Sequence, residues 1–231
     1  MAMRILAIDT SLDLLSVAFV TAEGRGTARS EAIGKGHGEK LFAMIADVLA
    51  EAGATLADAD RLAVAVGPGS FTGIRIGLSA ARGFALACRR PLVGVGTLEA
   101  LARSHPERQT RPVIAAIDAR KGEVYAAAYA ASGEELVAPF AATAEAALAL
   151  LPQDAGLVVG SGAPLLAHAA TCSGRRVPES AALAGPDVVA LARLAAARPP
   201  TDRQPSPLYI RPPDAKPGRR PSLLAALEFD R

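Results

Sequence analysis

The chain has 231 residues, room for one large domain or two small subdomains. Hydrophobic residues make up 51% and charged residues 21%, with a mean hydropathy of +0.26, which excludes a disordered chain and allows a sizeable core. A formal net charge of +2 is too small to argue for nucleic-acid binding by itself, and two cysteines without metal or redox spacing, Cys88 and Cys172, exclude a disulfide scaffold.

Arg4–Asp9 is an almost continuous apolar run ending in an acid, and Leu14–Val20 is a second; the short gap between them predicts a hairpin, with a third strand near Gly26–Ile33. Gly38–Ala52 predicts a helix: Leu41, Ile45, Val48, Leu49 and Ala52 share one face of a 3.6-residue period, and Gly53 marks its end. Phe42 and Met44 carry the apolar surface beyond that stripe, so the helix needs more than one packing partner. Leu62–Val66 reads as a buried strand running into Gly67–Gly73, followed by a helix to about Ala87. Gly73, Gly77, Ala81 and Ala85 line that helix as a stripe of small residues that allows another backbone to come close. Pro91–Val95 returns as a strand.

After Arg111-Pro112 the opening pattern recurs. Val113–Asp118 and Glu123–Ala130 repeat strand, polar break and strand, and Ile117-Asp118 matches Ile8-Asp9, which points to a duplicated fold. Thr143–Leu151 and Pro186–Arg198 read as helices with a strand at Leu157–Gly160 between them. From Pro199 to Pro221, eight of 23 residues are proline, predicting an extended segment, with a short final helix at Leu223–Leu227. The stretch Arg198–Arg220 carries a net +4, against −2 for the rest of the chain. No basic-then-apolar segment opens the sequence and no uncharged apolar run reaches about 18 residues, so the chain reads as soluble and cytoplasmic.

Three sets of residues could carry chemistry. Asp9, Thr10 and Ser11 follow the first strand, where a carboxylate and hydroxyls can address a phosphate or its hydrated cation in actin-like folds; with Gly69 and Ser70 they form a nucleotide-like turn. Gly67–Gly73 itself has neither the P-loop ending nor the dinucleotide glycine spacing, and reads better as a tight turn packing helix on sheet. His37 opens the first long helix, but a two-histidine metal clip needs a second His at i+4, where Leu41 stands; no metal site is expected. Ser70 has no evident His or acid partner for nucleophilic catalysis.

The strings Ile8-Asp9-Thr10-Ser11, Ala65–Gly77 (AVGPGSFTGIRIG), Ala116–Tyr125 (AIDARKGEVY) and Pro207-Leu208-Tyr209-Ile210-Arg211 together resemble the TsaB (YeaZ) family, in the family's order over nearly the whole chain. The resemblance implies an α/β fold of two actin-like, ribonuclease-H-like (ASKHA) subdomains, mixed sheets flanked by helices. The expected lobes span 1–108 and 109–212, and a tail, 213–231, returns to the first lobe. The resemblance further implies a non-catalytic subunit in threonylcarbamoyl transfer to a tRNA adenosine. Such a subunit would pair with TsaD through helices, act with TsaE, and meet tRNA only in the complex, with no cofactor. A separate enzyme would supply threonylcarbamoyl-adenylate. TsaD holds its metal with a two-histidine helix motif, which His37 followed by Leu41 departs from.

The partner surface expected on this reading is His37, Leu41, Phe42, Ile45 and Leu49 of the first helix with Gly73, Gly77 and Ala81 of the second, which would also make a homodimer when TsaD is absent. Arg219 and Arg220 are the expected tRNA contacts. The rival classes are a hydrolase, suggested by an older glycoprotease grouping, and an actin-fold small-molecule kinase; the missing histidine and triad stand against the first, the missing catalytic acid and adenosine site against the second.

Overall fold

The computed structural model describes residues 2–33, 36–176, 179–199 and 203–211. The 213–231 tail, its helix at 223–227, and Arg219 and Arg220 lie outside the described residues.

Two five-stranded mixed sheets are built on one plan. The first half runs β1 (Arg4–Asp9), β2 (Leu14–Thr21), β3 (Gly26–Ala32), α1 (His37–Glu51), β4 (Arg61–Ala65), α2 (Phe71–Cys88), β5 (Leu92–Val95), α3 (Thr97–Ala102). The second repeats it as β6 (Val113–Asp118), β7 (Glu123–Tyr129), β8 (Glu135–Thr143), α4 (Ala144–Leu150), β9 (Leu157–Val159), α5 (Ala163–Cys172), β10 (Glu179–Ala181), α6 (Val188–Ala197). The strand orders are β3-β2-β1-β4-β5 and β10-β9-β6-β7-β8, the same order read from opposite edges. In each sheet the first three strands form antiparallel pairs and the last two lie parallel to the first.

Strand side chains alternate between faces, so a strand covered on both sides reads as unbroken apolar sequence. In β1, Leu6 and Ile8 pack with Leu41, Ile45 and Val48 of α1 and Ile74 and Leu78 of α2. Ile5 and Ala7 of the same strand face the other way, onto Val188, Leu191, Ala192 and Ala195 of α6. The second sheet is arranged alike: Ile114 and Ala116 meet α4 and α5, while Val113, Ala115 and Ile117 meet Leu98 and Leu101 of α3.

The two terminal helices are therefore exchanged: α3, from the first half, covers the second sheet, and α6, from the second half, covers the first. The sequence boundary near 108/109 separates the sheets but not the helices. Residues 205–209 also return to the first lobe, although the sequence reading counts them in the second, while Arg211 donates to the Ala119 carbonyl and pairs with Glu123 of the second lobe. The Leu208 N–H donates to the Val66 carbonyl at 2.8 Å, Arg82 donates to the Pro205 carbonyl, and Tyr209 stacks on Phe71 with ring centroids 5.0 Å apart. Among the described residues no helix is long and apolar enough to cross a membrane.

Candidate functional site

The turn after β1 is closed by its own chain. Asp9, Thr10 and Ser11 are 0%, 1% and 0% exposed. The Asp9 Oδ1 accepts the Ser11 N–H at 2.8 Å, and the Thr10 hydroxyl donates to the Gly73 carbonyl at 2.7 Å. The Ser70 N–H donates to the Ser11 carbonyl at 2.7 Å, and the Ser70 hydroxyl caps α2 by accepting the Gly73 N–H at 3.2 Å. A Cβ on Gly73 would lie 2.0 Å from the Thr10 carbonyl oxygen, and one on Gly77 would lie 2.4 Å from the Thr10 hydroxyl. These two glycines let α2 settle directly on the turn.

The loop and helix thus cover the Asp9–Ser11 turn directly. Gly69 and Ser70 alone of the nucleotide-like set border a cavity of about 370 Å³ between the lobes, with Asp13, Asp118, Arg120 and Ser161 among its lining. Asp118 ends β6 as Asp9 ends β1, and its Oδ1 likewise accepts an N–H two residues on, from Arg120 at 2.7 Å.

Burial pushes the Asp9 carboxyl above its ordinary range, against the hydrogen bonds from Ser11 and the charge of His37; Asp9 Oδ2 has no hydrogen-bond partner. A raised folded pKa favours the fold below the ordinary carboxylate range and loses that contribution as pH rises through the raised value. Asp9→Asn keeps an acceptor for Ser11 and removes the buried charge. It is expected to melt a few degrees above the parent at neutral pH, since about 1 kcal/mol corresponds to 2–4 °C at this size. The gap should close as pH falls toward about 4. Thermal melts across a pH series check this, and a gap independent of pH would assign the effect to packing.

His37 is 6% exposed, and its Nε2 lies 2.9 Å from the Leu12 carbonyl, which ties the start of α1 to the β1–β2 loop. One ring nitrogen is thus engaged, and Leu41 one turn on is fully buried, so the pair is built into the core. Among the described residues no group of three or more His, Cys, Asp or Glu could hold a metal ion.

The helix pair α1/α2 divides differently from the sequence expectation. His37, Leu41, Ile45 and Leu49 of α1 and Gly73, Gly77 and Ala81 of α2 are all buried within this chain's own fold. Of the expected partner residues only Phe42 points outward, at 57% exposed. Its ring meets Phe84 of α2 edge-on, with centroids 5.9 Å apart. Around it lie exposed Ala43, Ala46, Ala50, Gly83 and Ala87 and half-buried Ile76 and Ala80, so the two helices present one apolar outer face. A second stripe on α2, Ile76, Ala80, Gly83, Phe84 and Ala87 at i, i+4, i+7, i+8 and i+11, is the signal that would have found it; it runs beside the buried small-residue stripe.

Two lobes of one duplicated plan, each a mixed sheet of order 3-2-1-4-5 with its last helix exchanged, define the actin-like, ribonuclease-H-like class. The family model described as "TsaD: tRNA N6-adenosine threonylcarbamoyltransferase" matches residues 22–176. YeaZ from Pseudomonas aeruginosa superposes with a TM-score of 0.69 at 34% identity, covering 84% of this chain and 90% of that one. A second P. aeruginosa structure, an uncharacterized protein with similarity to peptidase YeaZ, gives 0.74 at 30% identity over 90% of this chain and 100% of that one. The Escherichia coli K12 tRNA threonylcarbamoyladenosine biosynthesis protein TsaB is 45% identical over 127 residues, 54% of each chain. The chain belongs to the TsaD family and, within it, to the TsaB (YeaZ) group. It spans about half the length of the curated relatives it matches.

Proposed function

We propose that this chain is a non-catalytic, cytoplasmic subunit in the formation of threonylcarbamoyladenosine on tRNA, and that it acts by docking and supporting TsaD, with TsaE joining them. The observation that carries the reading is the apolar outer face of α1 and α2 around Phe42 and Phe84. Two adjacent helices with an exposed apolar seam are suited to pairing with the same two helices of a homologous partner as a four-helix bundle. A second copy of this chain would take that place when TsaD is absent. The sealed Asp9–Ser11 turn and the engaged His37 favour a scaffold over a kinase or a metal-dependent hydrolase.

The test is reconstitution. Purified chain with tRNA and threonylcarbamoyl-adenylate is expected to yield no modified nucleoside, and addition of TsaD and TsaE is expected to yield it in proportion to this chain. Mass spectrometry of digested tRNA reads the result. Product from the isolated chain would overturn the non-catalytic reading, and product from TsaD and TsaE alone would remove the supporting role.

A further inference from the structure

The duplication extends to four residues that neither the helix pair nor the closed turn uses. Ala100-Leu101-Ala102-Arg103 ends α3, and Ala190-Leu191-Ala192-Arg193 lies in α6, the equivalent helix of the second half. In both copies the leucine is fully buried and the arginine reaches over a hairpin. Arg193 donates to the Glu23 carbonyl of the β2–β3 hairpin from Nε at 3.2 Å and Nη2 at 2.9 Å. Arg103 donates from Nη2 to the Ser132 carbonyl of the equivalent β7–β8 hairpin at 3.1 Å. Because α3 and α6 are the exchanged helices, the two equivalent guanidiniums arrive at the same junction between the lobes.

A third cation joins them. Arg108, on the 3-10 turn Pro106–Gln109, donates from Nε to the Arg103 carbonyl at 2.7 Å. Arg103, Arg108 and Arg193 line one cavity of about 150 Å³ whose apolar wall is Ala190, Leu194 and Ala197 of α6. Among the described residues no carboxylate lies within ion-pair distance of any of the three; the nearby Glu99 and Glu107 are held by Arg198 and Arg111. Burial, and then the charges of Arg103 and Arg193, push the Arg108 guanidinium below its ordinary range, as expected where like charges share a half-buried space.

Neutral carbonyls account for one or two donors on each arginine and offset none of the charge. Arg103 Nε is buried with no hydrogen-bond partner, and among the described residues neither terminal nitrogen of Arg108 makes a hydrogen bond. Guanidinium forks match phosphate oxygens in geometry and charge. The cavity is well below the roughly 300–1,000 Å³ that holds drug-sized ligands, so it suits a single phosphoryl group rather than a whole nucleotide.

We propose that Arg103, Arg108 and Arg193 form a binding site for one phosphoryl group, taken either from inorganic phosphate or from an RNA backbone. The site lies on the α6 side of the first sheet, opposite α1 and α2, so it stays open when a partner docks on the outer helix face.

Thermal melts of the full chain in sodium phosphate, against sodium chloride at equal ionic strength, test the site. The melting temperature is expected to rise with phosphate concentration as for any ligand bound only by the folded state. Arg108→Gln with Arg193→Gln should weaken the apparent affinity at least tenfold. Should the double variant melt low without ligand, Arg108→Gln alone, whose side chain makes a single hydrogen bond, carries the test with an expected loss of at least threefold. No phosphate-specific rise in the parent, or an equal rise in folded variants, overturns the site. Binding of labelled oligouridylate across a salt series separates the sources. A salt slope reduced in the variant by about 0.7 per lost contact assigns the phosphoryl group to RNA. An unchanged slope beside a lost phosphate response assigns it to the free anion.

Discussion

Leu41→Glu is expected to unfold the chain, whereas Phe42→Glu, one residue further along the same helix, is expected to melt within a few degrees of the parent and, on the proposed docking, to lose self-association and TsaD capture. Leu41 is 0% exposed and packs against Leu6, Ile8 and Val17 beneath α1. Removing a buried leucine forfeits about 1.5–3 kcal/mol of apolar transfer. A carboxylate in its place has no partner there and adds a penalty of several kcal/mol unless it takes up a proton. Together these approach the whole stability of a domain, about 5–15 kcal/mol.

Phe42 is 57% exposed, so a glutamate there meets water in the isolated chain and the fold loses the edge-on contact with Phe84, about 0.5–1.5 kcal/mol. In a docked helix bundle the same carboxylate would be buried against a partner's apolar face. Sedimentation should show the variant as a monomer at concentrations where the parent pairs, and immobilised TsaD should fail to capture it. If Phe42→Glu still self-associates and still binds TsaD, the outer face of α1 and α2 is not the docking surface.

Arg61→Ala is expected to lower the melting temperature by about 6–12 °C. Arg61 opens β4 and is 6% exposed, and among the described residues it has no carboxylate partner. Its Nη1 donates to the carbonyls of Ala195 at 2.6 Å, Ala196 at 3.1 Å and Arg198 at 2.7 Å. These belong to the last turn of α6 and its cap residue, where a helix carries partial negative charge and its carbonyls are short of backbone donors. One cation therefore finishes the helix that crosses from the second half to cover the first sheet.

Hydrogen bonds to a charged group contribute about 1.5–3 kcal/mol each. The shared geometry and the cost of burying the cation reduce the sum to about 3 kcal/mol, at 2–4 °C per kcal/mol. Arg61→Lys keeps the charge and should recover about half of the loss. Equal melting of the Ala and Lys variants would assign the effect to packing of the side-chain stem.

The sequence determined the elements whose signal is local. Unbroken apolar runs located β1, β2, β4 and β6, the periodicity of Leu41, Ile45, Val48 and Leu49 located α1, and the paired Ile-Asp endings disclosed the duplication. It did not disclose β8, a half-exposed strand rich in alanine with Pro139 inside it, because no apolar-polar alternation marks it and its two β-branched residues, Val137 and Thr143, stand far apart. Nor did it disclose α3, only six residues long, or α5, which opens as Ala163-Pro164 after Gly162 and so reads as a turn.

Tertiary structure alone decided which side of each helix is the inside. Both Leu41 and Phe42 are apolar and sit side by side on α1, and a helix period cannot say which of them meets the sheet. The answer comes from contacts between distant residues. Thr10 against Gly73 and Gly77 fixes the roll of α2, Leu12 against His37 anchors α1, and together they turn Leu41 inward and leave Phe42 beside Phe84. The meeting of Arg103 with Arg193 is decided in the same way. Ninety positions separate them in the chain, and only the exchange of α3 and α6 between the two sheets brings their charges to one cavity.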